Sequence, residues 1–433
     1  MSTQPSLRIE RFSVQNFRTF GAPVTVPLDA GHDKLIVFHG ENGSGKSNAL
    51  AALDLFFQAA LYWLRGPTTT DGTVRVAYAE DPAAPRIVRR RDWPPGVQHD
   101  PMIIEARFAD AALGDLRVQL QPSGMEFGLT LQSQRVYDSG TQKWGSTPGA
   151  WNPLHPMERD TVRSKLETPH GVESTAFYWL DARRRQRSTR SSSGKPEVVS
   201  ESPLSSAMLD RLFEQKQSLD PREREKWRAL SGLLGRFAGL RDYTLDFRGL
   251  PSALSLTLEQ QGRQVLVHTE LSSGEQQILG VCAAILTSGA SVVVIEEPDM
   301  SLSQTSQKVL REVLTEQISR GLLDQIIIES HVPAFDGADV VRFEREPVGW
   351  TTVSTGPSDD ETSQRARAAH GAPQWVTLDG FTQLPDKMRS ELHVEKGGEL
   401  WFLKDESGKH WRAWTAPEVD ELVGVRAKDE EKK

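Results

Sequence analysis

An α/β fold is predicted by three stretches of this sequence. The first runs from Lys34 to Phe57, "KLIVFHGENGSGKSNALAALDLFF", an apolar run, a glycine-rich loop and then a helical pattern. The second is "SVVVIEEPDMSL", Ser291 to Leu302, four β-formers delivering Glu296, Glu297 and Pro298. The third is "IIIESHVPAF", Ile326 to Phe335, another apolar strand that ends in polar residues. Continuous apolar runs suit strands covered on both faces, and polar residues at their C-terminal ends mark where such sheets place a ligand site.

Taken in order, residues 7–38 contain the strand patterns "LRIERFSVQNF", "PVTVPLD" and "KLIVFHG". The loop Gly40-Glu41-Asn42-Gly43-Ser44-Gly45-Lys46-Ser47 fits G-x-x-x-x-G-K-[ST] in strand–loop–helix context. Its glycines let backbone N–H groups turn toward phosphate oxygens, and the following helix adds its positive dipole end. Lys46 is expected to reach the β- and γ-phosphates, and the Ser47 hydroxyl to hold Mg²⁺. The expected nucleotide-binding set here is Gly40, Asn42, Gly43, Ser44, Gly45, Lys46, Ser47 and Asn48. The helix from Lys46 to about Leu64 is apolar on more than one face, which predicts burial against a sheet.

From 72 to 137 the pattern is antiparallel: "TVRVAYAED", "RIVRRRDW", "MIIEARFAD", "LRVQLQ" and "MEFGLTLQSQRVY", with a hairpin turn at "PSG", 122–124. Residues 139–175 read as loop with a helix near 157–166. "AFYWLDARRRQRSTRSSSGK" is a buried strand leading into a basic, serine-rich loop, and 202–238 gives two helices separated near Pro221. "LSLTLEQQGRQVLVHTE" is a hairpin turning at Gln260-Gln261-Gly262. A helix over 273–286, a strand over 291–295, a helix over 304–320 and a strand over 325–329 follow. These divide the chain into a head at 1–350 with an inserted lobe at about 139–250, a linker at 351–374, and a small β-rich element at 375–433.

Composition narrows the function classes. The 433 residues carry a net charge of −8, which argues against an overall basic coat but allows a local basic groove. One cysteine, Cys282, excludes an intramolecular disulfide and a cysteine-based zinc site, and suits a reducing cytoplasm. The opening "MSTQPSLRIERF" has no apolar h-region, and no apolar run approaches the ~18 residues of a membrane span. The arginines and lysine from Arg183 to Lys195 are the clearest place for a nucleic-acid backbone, with Arg89, Arg90 and Arg91 a second cluster; such runs in serine-rich loops are more often simply solvated.

Three further candidates come from position. Glu296 is expected in the Mg²⁺ hydration shell, and Glu297 is expected to orient and deprotonate an attacking water. "LSSGEQQ", Leu271 to Gln277, opens a helix with N–H groups and hydroxyls suited to an anion, though such a segment alone is a common N-cap. His331, at a strand terminus, is placed to contact a γ-phosphate and report its loss.

In this order, "GENGSGKSN", "LSSGEQQ", "IEEPDMSL" and "ESHVPAF" resemble the ABC-type ATPase heads of the SMC/RecF class, and more closely the OLD-like ("overcoming lysogenization defect") ATPases with an AAA_21-like head. "VQNFRTF", Val14 to Phe20, looks like the turn that opens these heads. The resemblance covers roughly 7–66 and 250–345 and implies a P-loop NTPase of ABC-ATPase type: a mixed sheet, an antiparallel β subdomain and a helical lobe. It implies Mg²⁺-dependent ATP hydrolysis with Glu296, Glu297 and His331 as catalytic residues and Ser47 and Glu296 at the metal. It also implies an ATP-gated homodimer in which Ser273, Gly274 and Glu275 of one subunit close on ATP held by the other.

There are departures from the pattern. Leu302-Ser303 stands where "LHP" or "LD" is usual, Val332 replaces a serine beside the histidine, and no Q-loop glutamine can be placed. No TOPRIM nuclease fits after 345, and the gap between the loop and "LSSGEQQ", which stands at the signature position of these heads, lacks sustained heptads, which excludes a long-armed SMC. The biological setting implied is prokaryotic anti-phage defence with a partner effector. The alternatives are a RecF-like DNA-binding ATPase of repair or recombination, and more remotely a transporter subunit. The C-terminal stretch "VTLDGFTQLPDKMRSELHVEKGGELWFLKDESGKHWRAW" resembles an AbrB/MazE-like swapped hairpin, an element that implies dimerisation; a plain hairpin is the simpler reading.

Overall fold

Four strands that read as apolar runs lie side by side and parallel in the structure: β3 (Leu35–His39), β11 (Phe177–Leu180), β15 (Val292–Glu296) and β16 (Gln325–Glu329). The structure is a computed structural model. It describes residues 7–29, 34–66, 72–77, 92–124, 126–138, 143–168, 175–180, 204–249, 255–260, 264–330, 332, 335, 340–355, 389–390, 400–404, 411–415 and 419. The order across the sheet is β11-β15-β16-β3, continued by β17 (Val340–Arg345), parallel to β3, and β18 (Thr351–Thr355), antiparallel to β17. This is the α/β sheet of a P-loop NTPase, with β16 inserted between the loop-bearing strand and the acidic strand.

Alternate residues of these strands enter two different cores, which is why the runs carry no polar positions. Ile36, Phe38, Val292, Val294 and Ile327 join one core. Leu35, Val37, Val293, Ile295, Ile326 and Ile328 join the other.

The first core is built on helix α1 (Lys46–Arg65), whose apolar residues on several faces are buried between two sheets, as its sequence predicts. Phe57 stacks on Phe177 of β11 at 4.6 Å and meets Phe108 edge-on at 6.2 Å. Phe108 belongs to the second sheet, seven antiparallel strands in the order β10-β7-β6-β5-β1-β2, with β4 also on β7. These are β1 (Ile9–Gln15), β2 (Val24–Pro27), β4 (Thr73–Ala77), β5 (Met102–Phe108), β6 (Asp115–Ser123), β7 (Glu126–Ser133) and β10 (Asn152–Pro153). Its strands alternate, with Met102, Ile104, Ala106 and Phe108 of β5 all turned to the core. Helix α2 (Pro156–Leu166) starts on a proline, and its Arg159 donates to the carbonyls that end α1.

The second core holds α3 (Ser206–Gln217), α4 (Pro221–Leu234), α5 (Ser273–Thr287) and α6 (Gln304–Ser319). Asp220 caps α4 through the Arg222 N–H, so the chain breaks at Pro221 as expected. A small sheet of β12 (Tyr243–Arg248), β13 (Ser255–Gln260) and β14 (Gln264–Val267) joins this lobe. Phe247 of β12 packs on Trp227 of α4 at 5.5 Å and on Phe213 of α3 at 5.4 Å.

Four expectations need correction. "MEFGLTLQSQRVY" is not one strand: β7 ends at Ser133 and β8 (Arg135–Asp138) leaves to pair with β9 (Lys143–Ser146). Strand β12 was not expected, although Tyr243, Leu245 and Phe247 alternate with exposed Thr244, Asp246 and Arg248 as in a half-buried strand. The lobe at 139–250 is interrupted by β11, which belongs to the central sheet. The linker expected from 351 starts too early: Thr351–Thr355 is β18, held by the Thr351 hydroxyl on the Ser44 carbonyl at 2.9 Å, a side-chain contact invisible to a count of apolar residues.

The chain divides into a unit at Met1–Pro357 and a second at Ser358–Lys433. Of the latter, β19 (Leu400–Lys404) and β20 (Trp411–Thr415) form an antiparallel pair, with Phe402 opposite Ala413. Residues 78–91, 181–203, 331 and most of 356–433 lie outside the described residues, and with them fall the "RIVRRRDW" strand apart from Asp92 and Trp93, the Arg183–Lys195 loop, His331 and the remainder of the expected linker. Among the described residues, no helix is long and apolar enough to cross a membrane.

Candidate active site

Strand β3 ends at His39, and the loop from Gly40 to Gly45 carries the chain back to open α1 at Lys46. Gly40 has φ +153°, and a Cβ there would collide with the Phe343 carbonyl of β17. Gly45, with φ +112°, would collide with the Thr351 side chain. Both glycines are therefore fixed by left-handed backbone and by neighbours that cannot give way. The Ser44 side chain is buried, and its hydroxyl has no hydrogen-bond partner among the described residues. A buried hydroxyl left unsatisfied in a glycine-rich loop fits an incoming phosphate oxygen.

The Lys46 ammonium folds back into the loop, donating to the carbonyls of Gly40 at 2.8 Å and Glu41 at 2.9 Å. It also lies 3.7 Å from the Glu329 carboxylate at the end of β16. The Ser47 hydroxyl donates to the same carboxylate, 3.0 and 3.1 Å from its two oxygens. Burial pushes the Glu329 carboxyl above the usual range; the Lys46 charge and the Ser47 hydrogen bond oppose this, the nearby Glu297 charge adds to it, and the net shift is upward.

Glu296 and Glu329 are register partners on β15 and β16, and both are buried. Glu297 follows at the strand end with φ +44°, a left-handed backbone at a residue that precedes proline. Three hydrogen bonds hold it: its N–H donates to the Glu329 carbonyl at 3.0 Å, and its own carbonyl accepts from Gln277 Nε2 at 3.0 Å and from the Met300 N–H at 3.1 Å. Gln277 is buried on α5, so the helix that opens at the signature segment is tied to the acidic strand. The site thus joins Lys46, Ser47, Glu296, Glu297 and Glu329 at the C-terminal edge of one parallel sheet. Hard oxygen donors of this kind suit Mg²⁺, which binds few protein groups and keeps waters.

At the start of α5, Ser272 is the N-cap, and Glu275 bonds back to its N–H at 3.0 Å and its hydroxyl at 2.8 Å. The Glu275 carboxylate is thereby committed to the cap. Ser273 is exposed at the helix start, and Gly274 is required because a Cβ would lie 2.7 Å from the Ser301 carbonyl. Asn48 turns away from the loop: its amide donates to Thr19 Oγ1 at 3.1 Å and accepts from Arg18 at 3.3 Å. Arg18 in turn pairs with Asp92 at 3.1 Å. Asn48 therefore joins α1 to the "NFRTF" turn, whose Asn16 and Arg18 adopt left-handed backbone.

Sequence reasoning missed the roles of Glu329 and Gln277, whereas the N-cap read in "LSSGEQQ" falls on Ser272. An S-x-x-E spacing signals the cap. For Glu329 the signal is an acid closing an otherwise apolar strand, read instead as a lead-in to His331.

The chain matches, over residues 35–336, the family model AAA_21, described as "AAA domain, putative AbiEii toxin, Type IV TA system". No curated protein sequence matches. Similar solved structures include an SMC head domain from Thermotoga maritima, at 15% identity and TM-score 0.41, covering 81% of this chain and 99% of that one. An Smc head domain with an extended coiled coil, bound to the C-terminal domain of ScpA and derived from Pyrococcus furiosus, aligns at 13% identity and TM-score 0.45, covering 84% of this chain and 100% of that one.

Proposed function

The chain belongs to the AAA_21 family and is an ATPase of the AAA class, and from that premise we propose a Mg²⁺-dependent hydrolase that works as an ATP-gated homodimer. The observation that carries this reading is the convergence of Lys46, Ser47, Glu296, Glu297 and Glu329 on one sheet edge. Backbone N–H groups of the loop and the Ser44 hydroxyl receive phosphate oxygens. Lys46 exchanges its two loop carbonyls for the β- and γ-phosphates, a short swing for a flexible ammonium. Ser47 and Glu296 hold Mg²⁺ directly or through its waters, and when bound the ion neutralises charge on the phosphate oxygens.

Glu297 is the general base. It orients a water in line with the γ-phosphorus and takes its proton as the new P–O bond forms and the bond to the β-phosphate oxygen breaks. ADP leaves with the bonding electron pair, and inorganic phosphate is the second product. Exposed Ser273 and Gly274 of one subunit complete the site of the other, while Glu275 stabilises the helix start that presents them. A role in prokaryotic anti-phage defence with a separate effector draws support from the OLD-like resemblance and from the family's description, which names a Type IV TA system.

The test is Lys46→Ala. Equilibrium binding of a fluorescent ATP analogue should be lost, because the variant removes the cation that faces the β/γ-phosphates. Retention of wild-type affinity would refute the nucleotide-site assignment.

A further inference from the structure

Glu329 touches two side chains of the phosphate loop at once, and its chemistry toward each is specific. A serine hydroxyl has one proton and two lone pairs. Here the proton of Ser47 is directed at the Glu329 carboxylate, 3.0–3.1 Å away, which leaves the oxygen's lone pairs for another partner. Outer-shell acceptors of this kind orient a ligating atom and raise its basicity toward a cation. On its other side the carboxylate is the near counter-charge of Lys46, at 3.7 Å, with both side chains buried. A buried ammonium needs such a partner until another anion arrives. The Glu329 carbonyl also accepts the Glu297 N–H, so one residue meets the loop serine, the loop lysine and the acidic turn.

We propose that Glu329 is a positioning residue of the nucleotide–metal site. By taking the Ser47 proton it aims the serine oxygen at the divalent cation, and it holds Lys46 until phosphate replaces it. This inference rests on the nucleotide-site reading above. It assigns a task to a third carboxylate beside the metal-facing Glu296 and the base Glu297, and it makes two opposite predictions for one side chain. Without the metal, Glu329 opposes binding, through its negative charge near the phosphates and its grip on Lys46. With the metal, it favours binding through Ser47.

The experiment measures affinity of the full chain for a fluorescent ATP analogue, with and without Mg²⁺, for wild type, Glu329→Ala, Glu329→Gln and Lys46→Ala. In Glu329→Ala the gain in affinity that Mg²⁺ gives should shrink by about 10- to 100-fold, the range for losing an outer-shell partner. The Mg²⁺-free affinity of both Glu329 variants should rise above wild type, since both lose the charge. Glu329→Gln keeps the shape and an acceptor oxygen, so it should retain part of the Mg²⁺ gain.

An undiminished Mg²⁺ gain in Glu329→Ala overturns the inference. So does a fall in Mg²⁺-free affinity in both variants, which is the mark of a residue that only holds the strand together. If Lys46→Ala binds as wild type does, the nucleotide-site reading fails and takes this inference with it. Loss of binding in Lys46→Ala alongside an unchanged Mg²⁺ gain in Glu329→Ala refutes the inference by itself.

Discussion

Replacing Gln277 with leucine isolates the link between the signature helix and the acidic strand. The change nearly conserves volume at a buried position, so it removes a donor without opening a cavity. What it removes is the 3.0 Å hydrogen bond from Nε2 to the Glu297 carbonyl. Glu297 needs that support: left-handed backbone at a non-glycine residue costs about 1–3 kcal/mol, and the proline that follows restricts it further. The Met300 N–H still donates to the same carbonyl, so the loss costs about 0.5–1.5 kcal/mol, comparable to the lower end of the strain being held. The remaining bonds, from the Glu297 N–H to Glu329 and from the Met300 N–H to the Glu297 carbonyl, then hold the turn less firmly. At about 1.36 kcal/mol per tenfold in rate, turnover should fall roughly twofold to 13-fold. Nucleotide affinity should hold, because Lys46 and the loop are untouched. Steady-state ATP hydrolysis and equilibrium binding on the same preparation read the two quantities. Undiminished turnover would show that the Gln277 bond does not position Glu297, and equal losses in binding and turnover would show a general loss of structure instead.

Two further outcomes test the surface and the core. Ser273→Arg places a cation at the exposed start of α5, which costs about 0.3–1 kcal/mol against the helix dipole and leaves folding and single-subunit binding intact. Hydrolysis should nevertheless be lost if the segment completes a partner's site; normal hydrolysis by this variant reduces Leu271–Gln277 to an N-cap. Cys282 is fully buried on α5 and its thiol is pushed up to about 12 by burial, so a thiol reagent should label the native chain about 10³-fold more slowly than the denatured one. Rapid labelling of native protein would mean that α5 does not pack as described.

The elements that position the site are legible in the sequence because each buries two faces. Strands β3, β15 and β16 carry no polar residue between their ends, helix α1 is apolar on several faces despite Asp54 and Gln58, and their termini fall within a residue or two of where the pattern ends. The order of strands is a different matter. That β16 lies between β3 and β15 is a long-range pairing that no local pattern encodes, and with it goes the encounter of Glu329 with Ser47 across 282 positions of chain. Gln277 was equally hidden, since its partner is a backbone carbonyl and offers no residue type to recognise. Conversely, Asn48 sits inside the loop motif but its side chain serves the "NFRTF" turn, because a motif fixes backbone positions more firmly than side-chain directions.

The central claim is that Glu297 accepts the proton of the attacking water. Its most direct test is ATP turnover by Glu297→Gln, measured beside ATP affinity. The amide keeps the size of the side chain and the three hydrogen bonds of the Glu297 backbone, and it can still orient a water, but it cannot take the proton. The account predicts unchanged binding and a fall in turnover of about 10²–10⁴-fold, the range for a lost general base. Hydrolysis within a few-fold of wild type would contradict it, and would place the base elsewhere than at the end of β15.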